Sequence, residues 1–247
     1  MTTAPDDDLW ETHAQWWIEG FTAGADPEYE EQILPLAAEE LAGSQRVLDI
    51  GCGDGQVARL AASGGADLVV GIDPTWNQIS IAASRGGGVH VARAGADGLP
   101  FLDESFDAAV ACLVFEHIRA VDEAIAEVAR VLRPGGRFCF FLNHPLLQTP
   151  GSGWIDDQIL DPPEQYWRIG PYLMEEESIE EVEKDIFIPF IHRPLSRYIN
   201  ALISNGLLVE RMVEPAPPPG FLQRAAEYEA AATIPRLLYL RAVKRAP

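Results

Sequence analysis

The stretch Val47-Leu48-Asp49-Ile50-Gly51-Cys52-Gly53-Asp54-Gly55 is the part of this sequence best equipped for chemistry. Glycines directly after an apolar, strand-like run let backbone approach a ligand closely, and the helix that follows offers its free N–H groups. A dinucleotide fingerprint spaces its glycines G-x-G-x-x-G, because its helix N-terminus holds a pyrophosphate. Counted from Gly51, the third glycine of that pattern falls at Gln56; the spacing here is G-x-G-x-G, with Asp49 two residues upstream. A carboxylate beside the bend opposes a pyrophosphate but can receive the ammonium group of an amino-acid-bearing nucleoside. Asp73 ends a second apolar run, where an acid can accept both hydroxyls of a ribose, although Asp73-Pro74-Thr75 would also serve as a helix cap.

These residues need a scaffold. Residues 46–142 alternate short apolar runs with helical patterns, the rhythm of βαβ units on a parallel sheet. Strands are expected over 46–50, 68–73, 89–92, 107–114 and 137–142, with helices starting near Gln56, over 75–85 and over 121–132, and a turn at Pro134-Gly135-Gly136. A helix follows from Leu195 to Asn205-Gly206, then strands over 207–213 and 237–243 that pair antiparallel around the Pro-rich 215–219 loop. The expected fold is α/β: a mostly parallel sheet that the last two strands complete to seven. It comprises a helical lid (1–45), a core (46–142), an insertion (143–194) and a C-terminal helix with the last two strands (195–247). Within the insertion, residues 166–174 and 186–191 are expected to pair as a β-hairpin.

Composition narrows the function. The chain has 247 residues, 18 Lys+Arg and 38 Asp+Glu, a formal net charge of −20. A surface this acidic repels phosphate backbones and anionic head groups, so nucleic acid and membrane partners are not expected. Asp6, Asp7 and Asp8 stand where a signal peptide would carry a basic region and an apolar core. Three cysteines without a Cys-x-x-Cys pair point to reduced thiols and a cytoplasmic protein.

Several motifs recur in order: Asp49 to Gly55, Gly71-Ile72-Asp73-Pro74, Ala96-Asp97-Gly98-Leu99-Pro100-Phe101, Phe106-Asp107, Glu116-His117-Ile118 and Leu132-Arg133-Pro134-Gly135-Gly136. Together they resemble class I S-adenosylmethionine-dependent methyltransferases, in the branch that includes the quinone-biosynthesis enzymes. The resemblance implies a Rossmann-like, doubly wound sheet with an antiparallel last strand, and S-adenosyl-L-methionine as the cofactor. It further implies that Asp49, Gly51, Cys52 and Gly53 hold its methionine moiety, Asp73 holds the ribose, with Pro74 a further cofactor contact, and Asp97 and the Gly98 N–H meet the adenine. Cys112 would lie along the methionine tail, and Gln78, where such families often carry an apolar residue, would face the nucleoside.

Transfer to a hydroxyl needs a base near the carboxyl ends of the strands. His117, after the fourth strand, and His144, after the fifth, meet that condition; His117 could equally shape the pocket, and His192 could cap the helix after Pro194. No pair of carboxylates has metal-ligand spacing, so no metal is expected. Trp10, His13, Trp17 and Phe21 form a helical stripe with Trp16 beside it. Trp16, Trp17, His144 and Tyr166 are the expected acceptor contacts, around a small, partly apolar molecule. Oxygen is the expected methyl acceptor atom; nitrogen or carbon, a nucleotide-dependent oxidoreductase and a non-catalytic cofactor binder are the alternatives.

Overall fold

A computed structural model of the chain describes residues 7–246; residues 1–6 of the expected lid, and residue 247, lie outside the described residues. In chain order the strands are β1 (Arg46–Ile50), β2 (Leu68–Asp73), β3 (Val89–Arg93), β4 (Phe106–Cys112), β5 (Leu132–Asn143), β6 (Gly153–Asp157), β7 (Glu164–Arg168), β8 (Glu176–Glu183), β9 (Ile186–His192), β10 (Leu207–Val213) and β11 (Leu237–Lys244). The α-helices are α1 (Asp7–Phe21), α2 (Leu34–Leu41), α3 (Gln56–Ser63), α4 (Trp76–Arg85), α5 (Val121–Val131), α6 (Leu195–Ser204) and α7 (Pro219–Arg224).

Seven strands form one sheet in the order β10-β11-β5-β4-β1-β2-β3. β1 to β5 run parallel, and β11 is antiparallel to both its neighbours. β4 is buried along its whole length, which is why the sequence shows an unbroken apolar run there. Alternate residues of the central strands face opposite layers. Leu48, Ala109, Phe138 and Phe140 pack with α5 and α6, while Val47, Ala108, Val110 and Phe141 pack with α2 and α3. Helices on both faces make the sheet doubly wound.

This topology brings chemistry to one edge. In the parallel register Ile50 sits opposite Ile72 and Ala111, so the chain leaves β1, β2 and β4 at the same end. Strand order reverses between β1 and β4, and such a switch point leaves a crevice beyond the carboxyl ends.

Two expectations change. The Pro134-Gly135-Gly136 turn lies inside β5 as a bulge: Phe106 pairs with Leu132, and the next pair is Ala108 with Arg137. Gly135, at φ +77°, supplies the left-handed residue that the extra loop of strand requires. The insertion holds two hairpins, β6–β7 and β8–β9, rather than the single one joining residues 166–174 to 186–191. Trp154 stacks on Tyr228 with centroids 4.8 Å apart and meets Trp167 edge-on at 5.6 Å, so aromatic packing draws β7 onto β6. The partner of β9 is the glutamate-rich β8, whose charge masks its period-two pattern in the sequence.

Candidate active site

The bend after β1 is the floor of the site. Gly51 has φ +66°, and a Cβ there would lie 2.4 Å from Cγ2 of Val114, so both conformation and space demand glycine. Cys52 N–H donates to the Ile72 carbonyl at 2.8 Å, fastening the bend to β2. A Cβ on Gly71 would come within 2.8 Å of the Cys52 sulfur, which ties this second glycine to the same bend. Asp54 turns to Arg59 (3.2 Å) and to Arg85, and so braces the bend from behind.

Asp73 is committed through both oxygens: Oδ2 accepts from Gly53 N–H at 3.0 Å and Oδ1 from Thr75 N–H at 2.8 Å. Burial raises its pKa while those bonds pull it down. Asp49 is different. It is buried, its Oδ2 has no hydrogen-bond partner, and burial, with the nearby Asp73 charge adding, pushes its pKa up to about 7. Gln78 likewise keeps a buried, unpartnered Oε1 while its Nε2 donates to the Ala14 carbonyl. Two buried polar atoms without partners at one bend mark a place that wants a donor.

A cavity of about 460 Å³ opens above this floor. Asp49, Gly51, Cys52, Gly53, Asp73, Pro74, Gln78, Asp97 and Cys112 line it, as do His117 and Trp17. Four expected residues do not. Gly98 lies just beyond Asp97, off the wall. Trp16 turns its Nε1–H to Glu183 at 2.6 Å, and Tyr166 sits on the β6–β7 hairpin, 42% exposed. His144 is buried elsewhere: its Nε2 bonds Glu214 at 2.7 Å and its Nδ1 accepts from Leu146 N–H at 3.2 Å. Its position after β5 is as expected, but both ring nitrogens are occupied by structural partners. His192 also stays outside, donating from Nε2 to the Tyr172 carbonyl at 2.8 Å.

His117 arrives on the loop after β4. Its Nδ1 lies 2.6 Å from the Pro189 carbonyl, which can only accept, so the proton resides on Nδ1 and Nε2 carries the lone pair. Burial lowers its pKa to about 4, so the ring is neutral at neutral pH.

The lid closes the cavity through contacts the sequence does not advertise. The Glu11 carboxylate accepts from Trp76 N–H at 2.7 Å and Asn77 N–H at 3.1 Å, capping α4 from another helix where Thr75 supplies no side-chain cap. Gln56, the residue in place of a third glycine, accepts Ala23 N–H at 3.1 Å and holds the lid's far end. Tyr29, Thr22, Pro189 and Ile191 also line the wall, and no local motif singles them out.

Residues 48–140 match a methyltransferase domain family. The chain is 37% identical over 163 residues to the O-methyltransferase rstn1 of Aspergillus nomiae, covering 53% of this chain and 72% of that protein. The chain belongs to the class I S-adenosylmethionine-dependent methyltransferases. It is also 39% identical over 106 residues to a ubiquinone biosynthesis O-methyltransferase of Rhizobium johnstonii, covering 41% of this chain and 42% of that one. It thus spans less than half the length of this second relative. Among solved structures, an S-adenosylmethionine-dependent methyltransferase from Mesorhizobium loti superposes with a TM-score of 0.73 at 28% identity, over 85% of this chain and 95% of that chain.

The residues of this methyltransferase fit the family's cofactor. Its floor presents an unpartnered buried carboxylate oxygen at Asp49 and a bend with glycine at 51, 53 and 55, features suited to an ammonium-bearing nucleoside. Acids at 49, 73 and 97 oppose the two phosphates of a dinucleotide.

Proposed function

We propose that this chain transfers a methyl group from S-adenosyl-L-methionine to an oxygen of a small, partly apolar acceptor, with His117 as the base. Asp49, Gly51, Cys52, Gly53 and Cys112 would hold the amino-acid end of the cofactor, Asp73, Pro74 and Gln78 the ribose side, and Asp97 the adenine. When bound, the cofactor supplies an electrophilic methyl group that needs no further activation by the protein.

The protein's task is then alignment and proton removal. Trp10, Ile118, Pro189 and Ile191 give the far wall an apolar character and exclude water from an acceptor placed there. His117 Nε2 accepts the hydroxyl proton as the oxygen becomes nucleophilic, and the resulting imidazolium passes it to solvent when product leaves. A positioned base of this kind is worth roughly 10²–10⁴ in rate. A ring whose pKa is near 4 is wholly in its base form at pH 7 yet is a weak base, so it suits a hydroxyl that is itself acidic. His144 has no part in this reading, because its nitrogens are engaged with Glu214 and Leu146.

The observation that carries the proposal is the single neutral histidine on the cavity wall, with Nδ1 committed and Nε2 left as an acceptor. No described helix is long and apolar enough to cross a membrane. The three free cysteines and the acidic composition support a cytoplasmic enzyme. The test is incubation of the purified chain with methyl-labelled cofactor and pooled hydroxyl, amine and carbon acceptors. Label on oxygen, lost in His117→Ala, supports the proposal. Label on nitrogen or carbon, or undiminished turnover in His117→Ala, refutes the oxygen assignment or the base respectively.

A further inference from the structure

The loop 113–120 that carries His117 has no regular structure beyond a single 3-10 turn, Phe115–His117, and nearby N–H groups reach only four of its eight carbonyls, those of Val114, Phe115, Arg119 and Ala120. One side chain reaches across to three of the eight, adding the Ile118 carbonyl and a second donor to Phe115 and Arg119. Arg193, only 4% exposed, donates through Nη1 to the Phe115 carbonyl (3.1 Å) and through Nη2 to those of Ile118 (2.7 Å) and Arg119 (3.1 Å). Four residues upstream in the same segment, the Pro189 carbonyl receives the His117 Nδ1 proton. Phe190, between them, packs against the His117 ring with centroids 4.6 Å apart.

A buried guanidinium is costly unless paired and hydrogen-bonded. Glu175 approaches Arg193 Nε to 3.6 Å, and the buried Glu116 and Tyr198 lie within its electrostatic reach. Glu116 makes no hydrogen bond to it: Oε1 accepts from both the backbone and side-chain nitrogens of Asn143, and the buried Oε2 has no hydrogen-bond partner. The fork of Arg193 is therefore aimed at backbone rather than at a carboxylate partner. That geometry is specific to arginine, since a lysine would offer one compact charge and could not span three carbonyls.

We infer that Arg193 is a positioning residue: it holds the 115–119 backbone against β9 so that His117 keeps its Nδ1–H on Pro189 and leaves Nε2 as the ring's free acceptor. The consequence for turnover rests on the proposed role of His117 as base; the consequence for the ring's tautomer does not. The β8–β9 hairpin is on this account part of the machinery that sets the base, in addition to covering the acceptor.

The test uses the full chain labelled with ¹⁵N, with the His117 ring signals assigned by their loss in H117A. The wild-type spectrum is expected to show one neutral tautomer, protonated at Nδ1. In R193K the signals should average or shift toward the Nε2–H form. Its kcat should fall by about tenfold to a hundredfold, while affinity for S-adenosylhomocysteine changes by less than about threefold. A wild-type spectrum protonated at Nε2 overturns the inference without any variant. Retention of the wild-type tautomer in R193K overturns it too, as does wild-type kcat in R193K alongside an inactive H117A. Full turnover in H117A would instead remove the base, leaving the tautomer comparison to decide the role of Arg193.

Discussion

The floor of the cavity comes from one run of residues at the end of β1 and from the nearby ends of β2 and β4, fastened by backbone bonds such as Cys52 N–H to Ile72. The far wall is gathered from α1, the loop after β4 and β9, where His117 and Pro189 meet across 72 residues of sequence. A floor set by backbone geometry tolerates little change, because a Cβ at Gly51 would collide with Val114. A wall held by side chains and a docked helix can be re-cut for another acceptor without disturbing the sheet. On the proposed reading, that difference puts cofactor binding in the floor and acceptor specificity in the lid and insertion.

The largest effect should come from the floor. Asp49→Asn removes the carboxylate that would receive the cofactor's ammonium, and affinity for S-adenosylhomocysteine should fall by about a hundredfold or more in calorimetry. The same variant should be more stable at pH 8. The folded pKa of Asp49 is raised to about 7 from 3.8, so the stability linked to its protonation is fully present below about pH 4 and lost as pH rises through about 7. Removing a charge that burial disfavours should therefore raise the melting temperature by a few degrees at pH 8 and leave it nearly unchanged at pH 4. In the wild type, affinity should weaken by up to about tenfold per unit as pH falls below 7, because Asp49 must shed its proton to bind a cation. A variant that binds normally breaks the comparison at its root.

On the wall, His117→Ala should lower kcat by about a hundredfold and leave cofactor affinity within about threefold, separating acceptor chemistry from the floor. Equal losses in both would mean that the two regions are not independent. Glu11→Ala removes the cap that α1 provides for α4; cofactor affinity should drop by about tenfold and stability by about 1 kcal/mol, read by calorimetry and denaturant titration. The smallest effect on turnover is expected from His144→Ala, whose kcat should stay within about twofold. Its stability should fall by about 1–2 kcal/mol as the Glu214 and Leu146 bonds disappear.

What the sequence reveals follows the same division. Asp49, Gly51, Gly53 and Asp73 are legible because each answers a local demand, a tight bend or a strand end, that only a few residue types satisfy. The sheet is equally legible, since apolar runs separated by helical periods leave little freedom in topology. His144 misleads because chain position after β5 says nothing of side-chain direction, and Glu214, 70 residues away, captures its ring. Tyr29, Pro189 and the capping role of Glu11 are silent, since each acquires its function from a partner distant in sequence. The hairpin register fails for a related reason: Trp154, which meets Trp167 of β7, is itself stacked on Tyr228, in a segment beyond β10.

The central claim is that an acidic, glycine-lined floor selects an ammonium-bearing amino-acid nucleoside over a pyrophosphate-bridged dinucleotide. Calorimetric titration of the wild-type chain at pH 8 with S-adenosylhomocysteine and, separately, with a nicotinamide dinucleotide tests it most directly. The account predicts saturable binding of one S-adenosylhomocysteine per chain and no heat from the dinucleotide. Binding of the dinucleotide, or no binding of S-adenosylhomocysteine, would contradict it.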